Sequence, residues 1–282
     1  MNVRTVAVLG AGTMGHGVAH AAASSGFETR LYDVSDAQLT KAHAAVDAIL
    51  RKAVELGKMS TADADASIAR LSTTSDVAKA LEGVDLVIET APERIEIKMQ
   101  LFAAIDSHAP AAAIVASNTS ALSITEMAGT LKDPSRVAGM HFFNPVHKMK
   151  LIEIVRALES SEQSLDTIAA VSKQMGKETV LVREAPGFIT TRVNASIGNE
   201  AFYMLMEGVA SARDIDKALK LGLNHPMGPF ELVDLVGLDT RLSILEYLHR
   251  SLGEKYRPCP LLAQYVKAGR LGKKVGRGVY EY

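Results

Sequence analysis

Short apolar runs alternate with helix-length amphipathic stretches through the first two-thirds of the sequence. This alternation predicts an α/β fold with a mostly parallel, doubly wound sheet, because each strand is followed by a helix that can return the chain to the same edge. The seven predicted strands are Val3–Leu9, Glu28–Tyr32, Leu86–Glu89, Ile114–Ser117, Val137–His141, Leu151–Val155 and Thr179–Val182.

A long insertion, residues 36–71, separates the second predicted strand from the third. Its first part places six apolar residues on one helical face. We predict that Gly57 ends this helix and that Ser60 begins another as its cap, so the insertion is a helical hairpin projecting from the sheet. The six apolar residues are Leu39, Ala42, Val46, Ile49, Ala53 and Leu56.

The pattern changes at Ala185-Pro186-Gly187, beyond which helical stretches replace strands until a short strand-like tail, Val279–Tyr282. We therefore predict an α/β domain over residues 1–184 and an all-helical domain over residues 185–282, which would serve substrate binding and dimerisation. Its apolar faces favour a homodimer. The helices are predicted near Ile189–Glu207, Ala212–Leu221, Gly228–Leu252 and Leu261–Ala268.

The first predicted strand runs directly into Gly10-Ala11-Gly12-Thr13-Met14-Gly15, and Asp33 follows eighteen residues after Gly15. Gly10 permits the tight turn, Gly12 lets the backbone approach a pyrophosphate, and Gly15 lets the next helix pack closely. Asp33 can accept hydrogen bonds from an adenosine ribose and repels a 2′-phosphate. The alternative interpretation is that these glycines form a tight turn that serves only packing and binds no dinucleotide. The strand–turn–helix context favours a Rossmann-type site for NAD rather than NADP.

Composition narrows the class of protein. The formal net charge is −1, aromatic residues make up 5%, and tryptophan is absent, so nothing indicates nucleic-acid binding. We interpret the single cysteine, Cys259, as structural, since its sequence context shows no basic neighbour and no helix N-terminus. No apolar stretch approaches the ~20 residues that span a bilayer, and the early first strand leaves no room for a signal peptide. We expect a soluble cytoplasmic protein that binds neither membranes nor a metal.

Two polar residues stand in consecutive apolar strands. His141 ends one strand, and Glu153 lies twelve residues later within the next. Burying a charged residue is costly unless it has a partner. If the strands are neighbours, Glu153 can hold the His141 imidazole and stabilise the imidazolium that forms when it takes a proton. From these two residues alone, a structural His–Glu pair is the favoured interpretation.

Two polar loops follow other predicted strands, in the region where open sheets bind ligands. In Ser117-Asn118-Thr119-Ser120, Asn118 and Ser120 are free to bond a substrate oxygen or the nicotinamide ribose, because Ser123 is the better helix cap, with Glu126 completing a capping box. The second loop is Thr90-Ala91-Pro92-Glu93, with Lys98 on the helix that follows.

Basic residues occur in two sets. Arg51, Lys52 and Lys58 lie on the polar side of the hairpin, where a solvated face is the default interpretation and phosphate contact the sharper alternative. The second set lies in a run near the C-terminus that is rich in glycine. This glycine content indicates that another group, in a ligand or in the protein, packs closely against the backbone of the run. Its members are Lys267, Arg270, Lys273, Lys274 and Arg277.

Together these motifs resemble the L-3-hydroxyacyl-CoA dehydrogenase family, and more closely its bacterial 3-hydroxybutyryl-CoA dehydrogenase branch. The resemblance covers essentially the whole chain, and it implies NAD-dependent oxidation of a (3S)-3-hydroxyacyl-CoA in fatty acid metabolism, or the reverse. A dehydrogenase of a hydroxy acid lacking CoA, or a non-catalytic NAD-binding protein, stays open. The motifs are Gly10–Gly15, Ser117–Ser120, His141–Pro145, His225–Pro229 and Gly269–Tyr280.

The resemblance also implies roles for single residues. It makes His141 and Glu153 a catalytic dyad and gives Ser120 and Asn118 contacts with substrate and cofactor. It places Glu93, Lys98 and Lys274 near NAD, and the hairpin with Arg51, Lys52 and Lys58 against coenzyme A. Thr191 departs from the pattern, because many relatives carry an asparagine there that contacts the substrate. The acyl-chain preference therefore stays open.

Overall fold

The alternating pattern folds into one eight-stranded sheet in a computed structural model that describes residues 2–282. The strand order is β3-β2-β1-β4-β5-β6-β7-β8, and neighbours are parallel except for the antiparallel β6–β7 pair. The predicted α/β fold is confirmed. The strands are Thr5–Leu9 (β1), Glu28–Tyr32 (β2), Leu71–Thr74 (β3), Leu86–Glu89 (β4), Ile114–Ser117 (β5), Val137–Phe142 (β6), Leu151–Arg156 (β7) and Glu178–Arg183 (β8).

Helices cover the faces of this sheet, and the central strands are buried along their whole length. Such burial on both faces explains why these strands appear in the sequence as nearly continuous apolar runs. The helices that accompany the sheet are Thr13–Ser24 (α1), Asp36–Glu55 (α2), Thr61–Ala69 (α3), Val77–Leu81 (α4), Ile95–His108 (α5), Ile124–Ala128 (α6) and Glu162–Gln174 (α7).

One strand, β3, was not predicted. It is a four-residue strand at the edge of the sheet, and Leu71 is its only fully buried residue. The remaining residues, Ser72 to Thr74, are polar, so the segment has no apolar run that could indicate a strand. The chain from α3 therefore returns to the sheet earlier than the sequence pattern indicated.

The predicted hairpin consists of α2 and α3, and the Ser60 side chain caps α3 by accepting from the Asp63 amide. Its buried face differs from the prediction, because Leu50 is buried and Ile49 is only partly so. Leu56 is 57% exposed, since α2 ends one residue before it. Both helices pack against α1, so the hairpin is part of the core rather than a free projection.

The contacts divide the chain into a first unit that ends at Glu184 and a second unit, Ala185–Tyr282. Five helices form the second unit around a core in which the Phe202 and Phe230 rings meet edge to face. Within residues 2–282, no helix combines the length and apolarity needed to cross a bilayer. The five helices are Thr190–Met206 (α8), Ala212–Gly222 (α9), Pro229–Val236 (α10), Leu238–Leu252 (α11) and Pro260–Lys267 (α12).

Three expectations for the second unit need correction. The single helix predicted at 228–252 is broken at Gly237, whose φ of +106° does not belong to a helix. The tail forms isolated bridges, Gly272 with Arg277 and Arg277 with Glu281, rather than a strand. Cys259 does have a helix N-terminal context, because it is the N-cap of α12, but burial raises the pKa of its thiol, which fits a structural residue.

Candidate active site

The glycine-rich turn has the geometry that a dinucleotide requires. Gly10 has a φ of +104°, and a Cβ on Gly15 would lie 1.7 Å from the Gly10 carbonyl oxygen. A Cβ on Gly12 would meet nothing within 4 Å, so this face of the turn is open at the uncapped N-terminus of α1. The open face and the exposed N–H groups fit the pyrophosphate of NAD.

Asp33 follows β2 and is held beside this turn. One oxygen of its carboxylate accepts from the Ala11 amide at 2.9 Å, and the other accepts from the Ser35 amide at 3.0 Å. Arg30 points elsewhere, because its guanidinium donates to the carbonyls of Lys79 and Glu82. Asp33 therefore places a negative charge beside the turn, and these contacts of Arg30 bring no positive charge to it.

His141 and Glu153 face each other across the antiparallel β6–β7 pair. Their Cα atoms are register partners, and Nδ1 of His141 lies 2.8 Å from Oε2 of Glu153. Both side chains are buried, with exposed fractions of 4% and 0%. An ionised carboxylate only accepts, so Nδ1 donates and Nε2 is the nitrogen that can exchange a proton. The Phe143 ring packs on the imidazole at a centroid distance of 4.6 Å.

The loop after β5 is tied to the strand that carries His141. Asn118 is buried, and its Oδ1 accepts from the Phe142 amide at 2.8 Å. The sequence analysis predicted that the Asn118 side chain is free to bind a ligand. In the structure its Oδ1 is used within the chain, and its amide nitrogen is left to meet a ligand. The Ser120 amide donates to Glu93 at 2.8 Å, while the Ser120 hydroxyl makes no hydrogen bond within the described chain.

A buried carboxylate that sequence reasoning missed organises the same loops. Glu89, at the end of β4, accepts from Lys98 at 2.7 and 2.9 Å, from Ser117 at 2.6 Å and from the Ala91 amide at 2.6 Å. Lys98 is 1% exposed and lies 3.4 Å from Glu93. The available signal was the one used for Glu153, a charged residue inside an apolar strand.

Ser123 is the N-cap of α6, and its hydroxyl oxygen accepts from the Glu126 amide at 3.1 Å. The hydroxyl proton goes to Glu184 at 2.7 Å. Glu184 also accepts from Thr125. A carboxylate at the end of β8 thus supports the start of this helix, where Glu126 was expected to.

The basic residues of the hairpin already have carboxylate partners. Arg51 contacts Asp65 at 2.7 Å and Asp47 at 3.1 Å, and the hydrogen bond to Asp65 is the main cause that raises the pKa of Arg51. Lys52 pairs with Glu55 at 2.8 Å. Lys58 is exposed in the turn beyond α2 and forms no ion pair within the described residues.

Two predicted site residues belong to the second unit. Thr191 is half-buried in the first turn of α8. Lys274 donates to both oxygens of Asp239, at 2.6 and 2.7 Å.

The glycine-dense run is explained by Asp234 of α10. A Cβ on Gly272 would lie 2.3 Å from the Asp234 carbonyl oxygen, and one on Gly278 would lie 2.0 Å from its carboxylate. That carboxylate accepts from the backbone amides of Val279 and Tyr280 and from the Tyr282 hydroxyl. The close approach that the sequence indicated therefore comes from this chain itself.

Two domain-family models together match almost the whole chain. Residues 5–185 match the domain family described as "3-hydroxyacyl-CoA dehydrogenase, NAD binding domain", and residues 187–282 match "3-hydroxyacyl-CoA dehydrogenase, C-terminal domain". The chain belongs to the 3-hydroxyacyl-CoA dehydrogenase family. It is therefore an NAD-dependent oxidoreductase, and the dinucleotide that fits the turn at Gly12 is NAD.

Relatives of this family match the chain over its full length. A "Probable 3-hydroxybutyryl-CoA dehydrogenase" of Bacillus subtilis (strain 168) is 46% identical over 283 residues, which cover 100% of this chain and 98% of the relative. A "3-hydroxybutyryl-CoA dehydrogenase" of Bradyrhizobium diazoefficiens is 42% identical, covering 99% of this chain and 96% of the relative. The crystal structure of an (S)-3-hydroxybutyryl-CoA dehydrogenase from Ralstonia eutropha has a TM-score of 0.95 and 42% identity, covering 100% and 99% of the two chains.

Proposed function

We propose that the protein oxidises (3S)-3-hydroxybutyryl-CoA to the 3-oxoacyl-CoA with NAD, or catalyses the reverse, using His141 and Glu153 as a dyad. The observation that carries the proposal is the buried 2.8 Å contact between the two side chains. This contact lies near the carboxyl end of β6. The glycine-rich turn follows the carboxyl end of β1, which is on the same side of the sheet because β1, β4, β5 and β6 are parallel. Dinucleotide and proton acceptor are thereby brought to one edge.

His141 accepts the proton of the substrate's C3 hydroxyl at Nε2 during oxidation and returns it during reduction. NAD, when bound, supplies the hydride chemistry. Glu153 holds the imidazole in the required tautomer through Nδ1 and offsets the positive charge that His141 gains. Because the carboxylate is buried, this compensation acts in a medium of low dielectric, where it is stronger than in water.

The loop after β5 positions the reacting groups. The Ser120 hydroxyl donates to the substrate oxygen. The amide nitrogen of Asn118 donates to the substrate oxygen or to the nicotinamide ribose. Glu93 orients Ser120 by accepting a hydrogen bond from the backbone amide of Ser120. Lys98 acts from a buried position, holding Glu89 and Glu93 on the cofactor side of the loop.

The names of the relatives motivate the choice of a CoA thioester as substrate. Lys58 of the hairpin carries most of the hairpin's contribution to coenzyme A binding in this proposal, because Arg51 and Lys52 are neutralised locally by carboxylates. Thr191 contacts the acyl part of the substrate.

The second unit forms a homodimer in this proposal, which accounts for large apolar side chains that α8 and α10 leave exposed. Val193 is 55% exposed and Leu235 is 50% exposed. When NAD is bound, Lys274 lies near it in this proposal.

We also propose that the enzyme works in the cytoplasm, in fatty acid metabolism.

Steady-state oxidation of NADH with acetoacetyl-CoA tests the proposal, with free acetoacetate as the comparison. We expect turnover on the thioester and little on the free acid. Turnover confined to free hydroxy or oxo acids would place the enzyme in a different substrate class. NADH binding without turnover on any of these compounds would identify a non-catalytic protein.

A further inference from the structure

Basic side chains gather between α1 and the loop that joins β6 to β7. His16 and His20 are one turn apart on α1, His147 and Lys148 lie in the loop, and Lys177 follows α7. These five residues are called the loop cluster below. The rings of His20 and His147 meet edge to face with centroids 6.2 Å apart.

The loop that carries the cluster is fixed in place. Val146 packs against Gly17 of α1, where a Cβ would lie only 2.9 Å from the Val146 side chain. The Lys177 ammonium donates to the carbonyl oxygens of Val146 and Met149. His147 and Lys148 remain exposed between these anchored points. They are therefore held on the surface rather than free to move away.

The loop cluster has no counter-charge. Burial, followed by the nearby His147, Lys177 and His16, lowers the pKa of His20 to about 4. Burial, followed by Lys148 and Lys177, lowers the pKa of His147. No carboxylate of residues 2–282 forms an ion pair with any of the five, and Nδ1 of His20 is shielded from solvent without a hydrogen-bond partner. At neutral pH these lowered pKa values leave His20 and His147 uncharged, so Lys148 and Lys177 supply the positive charge and the imidazole N–H groups can still donate hydrogen bonds. This combination of charge and donors fits an anion from outside the chain.

The cluster lies beside both parts of the proposed site. Nδ1 of His16 is 3.0 Å from the carbonyl oxygen of Gly12 in the dinucleotide turn. His147 follows His141 by six residues, and Phe143, on the same stretch, packs against the His141 ring. The cluster thus adjoins the dinucleotide turn and lies on the stretch of chain that follows the catalytic strand.

We propose that the loop cluster binds phosphate groups of coenzyme A, an inference that rests on the acyl-CoA substrate of the proposed function. NAD is the less suitable source of phosphate, because its pyrophosphate is met by backbone N–H groups at Gly12, about two turns of α1 before His20. Coenzyme A carries a pyrophosphate and a separate 3′-phosphate. The loop cluster and Lys58 of the hairpin can thus hold different groups of one ligand.

The test compares a thioester with and without phosphates. His147→Gln and Lys148→Gln are combined in one variant, and KM is measured for acetoacetyl-CoA and for acetoacetyl-pantetheine, which lacks the phosphates. At low ionic strength, KM for the CoA thioester should rise about tenfold, and the difference should shrink at high salt because exposed charges are screened. KM for the pantetheine thioester and for NADH should not change.

Lys132→Gln is the matched control, because Lys132 is 90% exposed and precedes β6, at the opposite sheet edge. It should leave every KM unchanged. An unchanged KM for acetoacetyl-CoA in the double variant overturns the proposal, as does an equal rise for both thioesters. A rise in KM for NADH alone would assign the cluster to the cofactor instead.

Calorimetric titration with free coenzyme A separates this inference from the proposed reaction. If the parent binds coenzyme A and the double variant binds it about tenfold more weakly, the cluster is supported whatever the turnover. If parent and double variant bind coenzyme A equally, the cluster is not its site, even if the parent reduces acetoacetyl-CoA rapidly.

Discussion

Glu153 and His141 are direct register partners in the antiparallel β6–β7 pair, with 2.8 Å between Oε2 and Nδ1. Side chains alternate between the two faces of a strand, so a slip of one residue would turn Glu153 to the opposite face. The pairing of β6 with β7 is also the only antiparallel one in the sheet of residues 2–282. This reversal lets two consecutive strands bring both residues to one point.

Replacing Glu153 with glutamine should lower kcat while NADH binding stays unchanged. Glutamine can still accept from Nδ1, but it cannot compensate the charge of the imidazolium. We expect a loss of about 10²-fold, the lower end of what general acid–base groups contribute. Comparing kcat with the NADH dissociation constant checks this, and Glu153→Asp, which keeps the charge, should retain more activity than Glu153→Gln. Equal activity of parent and Glu153→Gln would remove Glu153 from the mechanism.

Replacing Glu89 with leucine should destabilise the protein by about 3–5 kcal/mol, because Lys98 is left buried without its partner. Denaturant unfolding measures this change. The double variant Glu89→Leu, Lys98→Leu should recover much of the stability, since no charge is then left buried. Its kcat should stay low, because the Ser117 hydroxyl and the Ala91 amide still lack their acceptor. Recovery of full activity together with stability would reduce Glu89 to a purely structural residue.

Asp33 should make the enzyme prefer NADH over NADPH by at least about a hundredfold in kcat/KM, since like charges brought together cost several kcal/mol. Asp33→Asn is the sharper variant, because its amide oxygen can still accept from the Ala11 amide. It should narrow the preference by improving the use of NADPH. Similar kcat/KM values for the two cofactors in the parent would contradict this role of Asp33.

Thr191 should affect the substrate rather than the cofactor. If its hydroxyl donates to the substrate, Thr191→Val leaves a buried acceptor unpaired, which costs about 1–3 kcal/mol in kcat/KM. If its small size opens the pocket, Thr191→Asn should instead narrow the range of acyl chains accepted. Both variants are to be assayed on 3-oxoacyl-CoAs of four to eight carbons. If neither differs from the parent on any of them, Thr191 only packs in α8.

Strands with apolar residues on both faces were predictable from the sequence within one or two residues. β4 and β5 have the bounds that were expected, because burial on both faces makes each a nearly continuous apolar run. β2 also has the expected bounds, although Glu28 at its start is exposed. β3 has one buried residue and no such run, so its pairing with β2 is a tertiary fact. The break at Gly237 was hidden for a related reason, since the apolar spacing continues across it.

The site shows the same division. The turn at Gly10 to Gly15 follows from local geometry and can be found in one sequence. The contacts of Glu89 cannot, because its partners Lys98 and Ser117 are brought together only by the folded sheet. Lys98 even looks like an ordinary exposed helix residue until its burial is known. The ion pair of Arg51 with Asp65 is hidden from the sequence for the same reason, because α2 and α3 bring the two side chains together only in the folded hairpin.

The most direct test of the account is the turnover of His141→Gln on acetoacetyl-CoA with saturating NADH, measured beside NADH binding by fluorescence titration. The kcat of His141→Gln should fall by about 10²–10⁴-fold, because the proton donor to the substrate oxygen is lost. The NADH dissociation constant should equal that of the parent. Near-parental turnover by His141→Gln would contradict the proposed mechanism.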